Sequence, residues 1–170
     1  KSSICTVGID GVGLLYRGYA IEALAQQSHF EEVAYLLIHQ QLPTEHALNQ
    51  FKNAIKQHRS LPEPLQKALN ELPKLSQPMD VLRTTVSILG SLEPETHAYR
   101  DKDIATRLLG LYPSALMYWY HVHHSHKTIQ TDSNADSIAA YFLELLYQQA
   151  PDQLAIDTLD TSLTLYAEHE

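Results

Sequence analysis

Apolar and polar positions divide the chain into two unequal parts at Gly18. Before it, the β-branched stretch Ile4-Cys5-Thr6-Val7 runs into the turn-like Gly8-Ile9-Asp10-Gly11 and returns through Leu14-Leu15-Tyr16, the pattern of a short β-hairpin. After it, apolar residues recur at the spacing of amphipathic helices and only Gly90 and Gly110 interrupt them. The pattern predicts a mainly α chain preceded by a short β element.

The helical part breaks into segments at identifiable signals. Ile21 to Gln26 makes a brief helix, and Ser28-His29-Phe30-Glu31 reads as a capping box opening a second one to about Gln40. Leu42-Pro43-Thr44 stops that helix and caps the next, whose face carries Leu48, Phe51 and Ile55 up to the Leu61-Pro62-Glu63-Pro64 turn. A shorter helix follows through Leu65, Leu69 and Leu72. Pro78 opens another, Met79 to Leu89, closed by Gly90 and Pro94. Asp101 to Leu111 is amphipathic, whereas Pro113 to His123 is apolar on nearly all sides and is expected inside the bundle, with Trp119 buried. Asp136 to Gln148 and Thr158 to the end complete the set. The last of these finishes on Tyr166-Ala167-Glu168-His169-Glu170 with no closing glycine, proline or basic run, the pattern of a helix that continues.

Composition narrows the function classes. The 170 residues are 44% apolar and contain no fixed-period repeat or Ser/Gly linker, so they read as one globular domain. Lys and Arg number 12 against 20 Asp and Glu, a formal charge of −8, which opposes nucleic acid or an anionic membrane as the main partner. No apolar run approaches the roughly 18 residues of a membrane span. The lone Cys5 cannot form an internal disulfide and suits a reducing, cytoplasmic setting.

Few constellations invite chemistry. His121, His123, His124 and His126 crowd into one helix end, where neighbours could share a metal, but no Asp, Glu or Cys completes a site and adventitious surface histidines are the better reading. Gly8-Ile9-Asp10-Gly11-Val12-Gly13 has a glycine rhythm without the third glycine or helix of a dinucleotide fingerprint, so it reads as a turn. Cys5 lacks a sequence-adjacent activating group. Arg17 and Arg83 read as structural arginines near helix ends rather than anion binders. Glu168-His169-Glu170 places a histidine between carboxylates on an apolar helix, where it would donate a hydrogen bond to an anionic substrate; the competing reading is an exposed histidine at a chain end.

Five stretches, occurring in family order from end to end, resemble the N-terminal half of the citrate synthase family. They are Leu15-Tyr16-Arg17-Gly18-Tyr19-Ala20-Ile21, Phe30-Glu31-Glu32-Val33-Ala34-Tyr35-Leu36-Leu37, Pro78-Met79-Asp80-Val81-Leu82-Arg83-Thr84, Tyr118-Trp119-Tyr120-His121 and Ser162 through Glu170. The third and fourth tilt toward the methylcitrate branch. Two departures stand out: Gln77 where a histidine commonly precedes Pro-Met, and Ser125-His126 where Asn-Gly is usual, leaving that loop without its turn glycine.

The resemblance implies residues 1–18 as a short β element and 19–170 as the N-terminal part of a helical large domain, truncated at 170. It implies a homodimeric acyltransferase that joins propionyl-CoA to oxaloacetate, with no metal or redox cofactor and acyl-CoA as substrate. It places one site residue in this chain, His169, as a ligand of oxaloacetate. The catalytic histidine and aspartate, the carbonyl-polarising histidine and the CoA loop belong to sequence after Glu170, so the 170 residues alone are expected to be inactive. The alternatives are a citrate synthase using acetyl-CoA and a helical interaction module that has lost the chemistry.

Overall fold

The computed structural model of the chain describes residues 4–6 and 13–168. Three two-residue strands, β1 (Cys5–Thr6), β2 (Leu15–Tyr16) and β3 (Tyr19–Ala20), form an antiparallel sheet in chain order. Cys5 pairs with Tyr16 and Tyr16 with Tyr19. The expected β1–β2 hairpin is present, though its Gly8–Gly11 turn lies outside the described residues, and β3 is an addition. The β2–β3 connection is the two-residue turn Arg17-Gly18, with φ of 49° and 90°. Positive φ at both positions is the turn whose twist matches antiparallel strands. Nothing lies within 4 Å of a Cβ built on Gly18, so backbone conformation, not space, selects glycine there.

Among the described residues eight α-helices follow: α1 (Ile21–Gln27), α2 (Phe30–His39), α3 (Glu45–Gln57), α4 (Glu63–Glu71), α5 (Pro78–Leu92), α6 (Asp101–Tyr120), α7 (Ile138–Tyr147) and α8 (Gln153–Leu165). Thr44 caps α3 as expected, its hydroxyl accepting from Ala47 N at 3.2 Å. The cap of α2 falls one residue later than the Ser28-to-Glu31 expectation: His29 N donates to Glu32 Oε2 at 2.8 Å. Ser28 is already engaged in closing α1, its N–H bonded to Leu24 O, which leaves Glu31 free to turn inward.

Two expected helix ends are absent. Pro113, expected to begin a new helix, lies inside the continuous α6. A proline removes one helical N–H and crowds the preceding turn. Here that loss is offset because α6 packs against α2, α3, α4, α5 and α7 and buries its flanks, including Leu111, Ala115, Met117 and Trp119. Likewise α5 runs through Gly90 to Leu92 and stops at Glu93, the residue that Pro94 biases away from helix. Beyond α6, His121–Ser125 form a π-helical segment.

The largest core surrounds α6, joining Leu65 and Leu69 of α4, Val81 of α5 and Tyr141 and Leu145 of α7. A second gathers Tyr16, Ile21, Leu24, Val33 and Leu36, and a third Phe30, Ala34, Phe51, Ile55 and Ile138. Ala167, just past α8, packs against both of these smaller cores. Among the described residues no helix is long and apolar enough to cross a membrane.

Candidate functional site

The segment that ends at Glu168 is shaped by how α8 starts and stops. Asp152 Oδ1 accepts from Ala155 N at 2.9 Å, so α8 starts at Gln153, five residues before the expected Thr158. It also ends sooner. Tyr166 N bonds Ser162 O at 3.1 Å and Ala167 N bonds Thr164 O at 3.3 Å, tightening the last turn. The expectation that Glu168-His169-Glu170 ride on a continuing helix is therefore corrected for Glu168, which lies beyond the end of α8. His169 and Glu170 lie outside the described residues.

The physical reason for the stop sits in β2. The Tyr16 hydroxyl donates toward Leu165 O at 3.1 Å and lies 3.4 Å from Glu168 O, supplying carbonyls at the end of α8 with a side-chain donor. Tyr16 is fully buried in the second core. Burial pushes its phenol up, and the Glu168 carboxylate adds to the rise, so it stays a protonated donor at neutral pH. β2 is held in turn by Arg17, whose N–H bonds Ile4 O at 2.8 Å and whose Nη2 bonds Leu37 O at 3.1 Å, near the end of α2. That is the structural role expected of Arg17. Arg83 pairs with Asp80 at 3.0 Å on the surface of α5, also as expected.

Buried carboxylates join α8 to the helices around it. Asp160 accepts Phe30 N at 3.2 and 3.3 Å, with His29 Nδ1 3.3 Å away, placing a charge at the start of α2. Glu31 accepts Ile138 N at 2.6 Å at the start of α7, and burial raises its carboxyl, with Asp160 adding to the rise and Lys52 opposing it. Between them opens a cavity of about 230 Å³ that also reaches Lys52, Asp136 and Asp157. Lys52 and Lys56 of α3 both bond Asp136, and these bonds hold its carboxyl down to about 2. Sequence reasoning missed Asp160 and Glu31 in these roles. A signal existed for Asp160, which falls four residues after Ile156 and three before Leu163, a charge set on the apolar stripe of α8.

The histidine cluster is corrected in part. His121 is buried and its Nε2 donates to Leu145 O at 2.9 Å; half-buried His123 donates from Nε2 to Leu69 O at 3.0 Å. Those two tie α6 to α7 and α4 because the π-helical winding aims them at carbonyls. His124 and His126 are exposed, His124 stacked on Tyr120 with ring centroids 5.0 Å apart. His126 itself takes φ of 53°, the left-handed position that the missing glycine would supply. Among the described residues no group of three His, Cys, Asp or Glu side chains converges to hold a metal. Cys5 is half-buried in β1, and Gln77 stands at the start of α5 without a side-chain cap.

A family model described as "Citrate synthase, C-terminal domain" matches residues 1–170. A 2-methylcitrate synthase of Shewanella oneidensis is 44% identical over 170 residues, covering 100% of this chain and 45% of the relative. A citrate synthase of Synechocystis sp. is 35% identical over 173 residues, covering 99% of the chain and 43% of the relative. Among solved structures, a ternary complex of carboxymethyl coenzyme A and oxaloacetate with citrate synthase from Thermoplasma acidophilum superposes with a TM-score of 0.87 at 25% identity, covering 100% of this chain and 45% of that one. The chain thus spans less than half the length of these relatives.

Proposed function

Since the chain belongs to the citrate synthase family, we propose that the protein carrying it is an acyltransferase of the 2-methylcitrate synthase kind, condensing propionyl-CoA with oxaloacetate and water to 2-methylcitrate and CoA. The observation that carries this reading is the 44% identity to a 2-methylcitrate synthase along the whole chain. Within it, His169 is a hydrogen-bond donor to oxaloacetate. Proton removal from the acyl-CoA falls to a histidine and an aspartate in the part of the family's length that these 170 residues do not contain, with no metal or redox cofactor. The 170 residues by themselves are inactive on this reading.

The reading extends to a cytoplasmic homodimer. For the homodimer the support is the pair Met79 and Val86, seven residues apart on one side of α5 and 73% and 37% exposed. Light scattering of the full-length protein at twice the monomer mass is the expected result.

Acetyl-CoA is the alternative acyl donor, favoured by the 35% identity to a citrate synthase. The two donors differ by one methylene, worth about 10- to 200-fold in kcat/KM. CoA release by the full-length protein with oxaloacetate and each acyl-CoA decides between them. Faster turnover of propionyl-CoA supports the proposal, and faster turnover of acetyl-CoA replaces it with the alternative. No turnover of either leaves a helical interaction module.

A further inference from the structure

We propose that the Lys52 ammonium is shared between two carboxyl groups: it rests on Asp136 while Glu31 keeps its proton, and it turns through the cavity to Oε2 of Glu31 once that proton is released to solvent. The inference is independent of the acyl-CoA reaction, since every group it uses lies where α2, α3, α7 and α8 meet.

Three observations carry it. Glu31 is 2% exposed, its Oε1 accepts Ile138 N at 2.6 Å, and its Oε2 is buried with no hydrogen-bond partner. An oxygen left alone in this way is tolerable on a neutral carboxyl and costly on an anion, so ionisation of Glu31 calls for a cationic donor. Secondly, Lys52 is free to leave its present partner. Asp136 is exposed and is bonded by Lys56 Nζ at 2.9 Å as well, so it keeps an ammonium and gains water when Lys52 departs. Thirdly, the path is short. Asp136 and Ile138 are two residues apart, so the carboxylate that holds Lys52 and the N–H that holds Glu31 lie on one segment of about 7 Å at most. Glu31, Lys52 and Asp136 all line the same cavity of about 230 Å³, which gives the lysine side chain room to turn.

The other charged groups around Glu31 are engaged elsewhere. From α8, Asp160 accepts Phe30 N and lies 3.3 Å from His29 Nδ1, while Asp157 accepts Gln153 Nε2 at 2.7 Å. Arg59, just after α3, donates from Nη1 to Ser133 O at 2.9 Å and lies 4.0 Å over the Tyr141 ring. Burial and the Asp160 charge favour protonated Glu31, and the Lys52 charge opposes them. The two states of the carboxyl therefore compete through groups already in place, and Lys52 is the cation with a substitute waiting at its post.

Infrared difference spectra of the full-length protein test this, because a protonated buried carboxyl absorbs apart from carboxylates and Glu31→Gln supplies the blank. Lys52→Met is expected to raise the pH at which the Glu31 band disappears by about 1–2 pH units, the size of a lost charge-assisted hydrogen bond. Lys56→Met makes Asp136 dependent on Lys52 and is expected to raise that pH too, but not when Lys52 is already replaced by methionine. Crystal structures of the unaltered protein on either side of the midpoint are expected to show Lys52 Nζ on Asp136 below it and within about 3 Å of Glu31 Oε2 above it. A midpoint that ignores Lys52→Met overturns the proposal. So does a Lys56→Met effect of equal size with and without Lys52, which marks a fixed field in place of a shared partner, or a Lys52 that stays on Asp136 above the midpoint.

Discussion

Asp160, on the last helix, accepts the backbone N–H of Phe30, the first residue of α2, at 3.2 Å through one carboxylate oxygen and 3.3 Å through the other. The next residue, Glu31, performs the same service for the first residue of α7. Two adjacent positions thus link three helices: α2 receives a carboxylate from α8 at its start and sends its own to α7. Helix starts carry unpaired N–H groups and a partial positive charge, so each of these buried carboxyl groups meets a donor, although Oε2 of Glu31 is buried without a hydrogen-bond partner.

Removing the first link tests its weight. Asp160→Ala strips Phe30 N of its acceptor in a buried setting and is expected to lower unfolding stability by about 1–3 kcal/mol. Asp160→Asn retains an oxygen acceptor and should lose clearly less. Urea midpoints of the two variants check the order; equal losses would mean that charge, not the hydrogen bond, matters there.

Glu31 gives a pH signature. Burial lifts its folded carboxyl above the ordinary 4.5, so folding favours the protonated form. A raised carboxyl contributes stability that is fully present below its unfolded value and is lost as pH rises through the folded one. Glu31→Gln keeps an oxygen for Ile138 N and cannot ionise. Relative to wild type, this variant should gain stability as pH climbs from the unfolded carboxyl range toward neutrality. Denaturation series at several pH values measure it, and a pH-independent difference would refute the raised carboxyl.

Much of this architecture was legible because local signals were strong and tertiary packing agreed with them. Thr44 capped α3, the Trp119 helix was buried, and Arg17 and Arg83 were structural. What escaped depended on partners distant in sequence. Pro113 looked like a boundary because propensity counts the lost N–H and cannot count the five helices that surround α6. The stop of α8 at Leu165 escaped because its cause, the hydroxyl of Tyr16, arrives from 149 residues away. Glu31 looked like a capping-box carboxylate, whereas Glu32 takes that role and Glu31 serves another helix. Of the candidate site, His169 was legible only through family likeness, since a histidine between two glutamates carries no spacing that specifies a ligand.

Gly110 tests how closely two helices meet. A Cβ built on it would lie 2.3 Å from the carbonyl oxygen of Ile55 and 3.0 Å from the Cβ of His58, so α3 rests its backbone on α6 at this point. Alanine is the better helix former by about 1 kcal/mol. The clash with backbone should outweigh that gain, and Gly110→Ala is expected to destabilise by about 1–3 kcal/mol. A thermal midpoint at or above wild type would show that α3 can shift away freely.

The last expectation sets two tyrosines against each other. Tyr141 of α7 is as buried as Tyr16, its ring lies 4.0 Å beneath the Arg59 guanidinium, and its hydroxyl donates to Thr131 O at 2.7 Å beside Ser114 Oγ, also 2.7 Å away. Burial pushes its phenol up to about 12, so this donor persists throughout the accessible pH range. Both tyrosines lose only a hydroxyl on replacement by phenylalanine, but the bonds lost differ in what they hold. At Tyr141 the hydroxyl fastens the connection between α6 and α7 within the main core, and no part of the turn after α8 depends on it. Tyr141→Phe in the full-length protein is therefore expected to cost about 1–2 kcal/mol of stability by leaving the Thr131 carbonyl underserved, with oxaloacetate KM unchanged. Tyr16→Phe is expected to cost a similar amount by leaving the Leu165 carbonyl at the end of α8 underserved. Matched urea midpoints of the two variants measure both losses, and a midpoint unchanged from wild type in Tyr141→Phe would show that the Thr131 carbonyl finds another donor once the hydroxyl is gone.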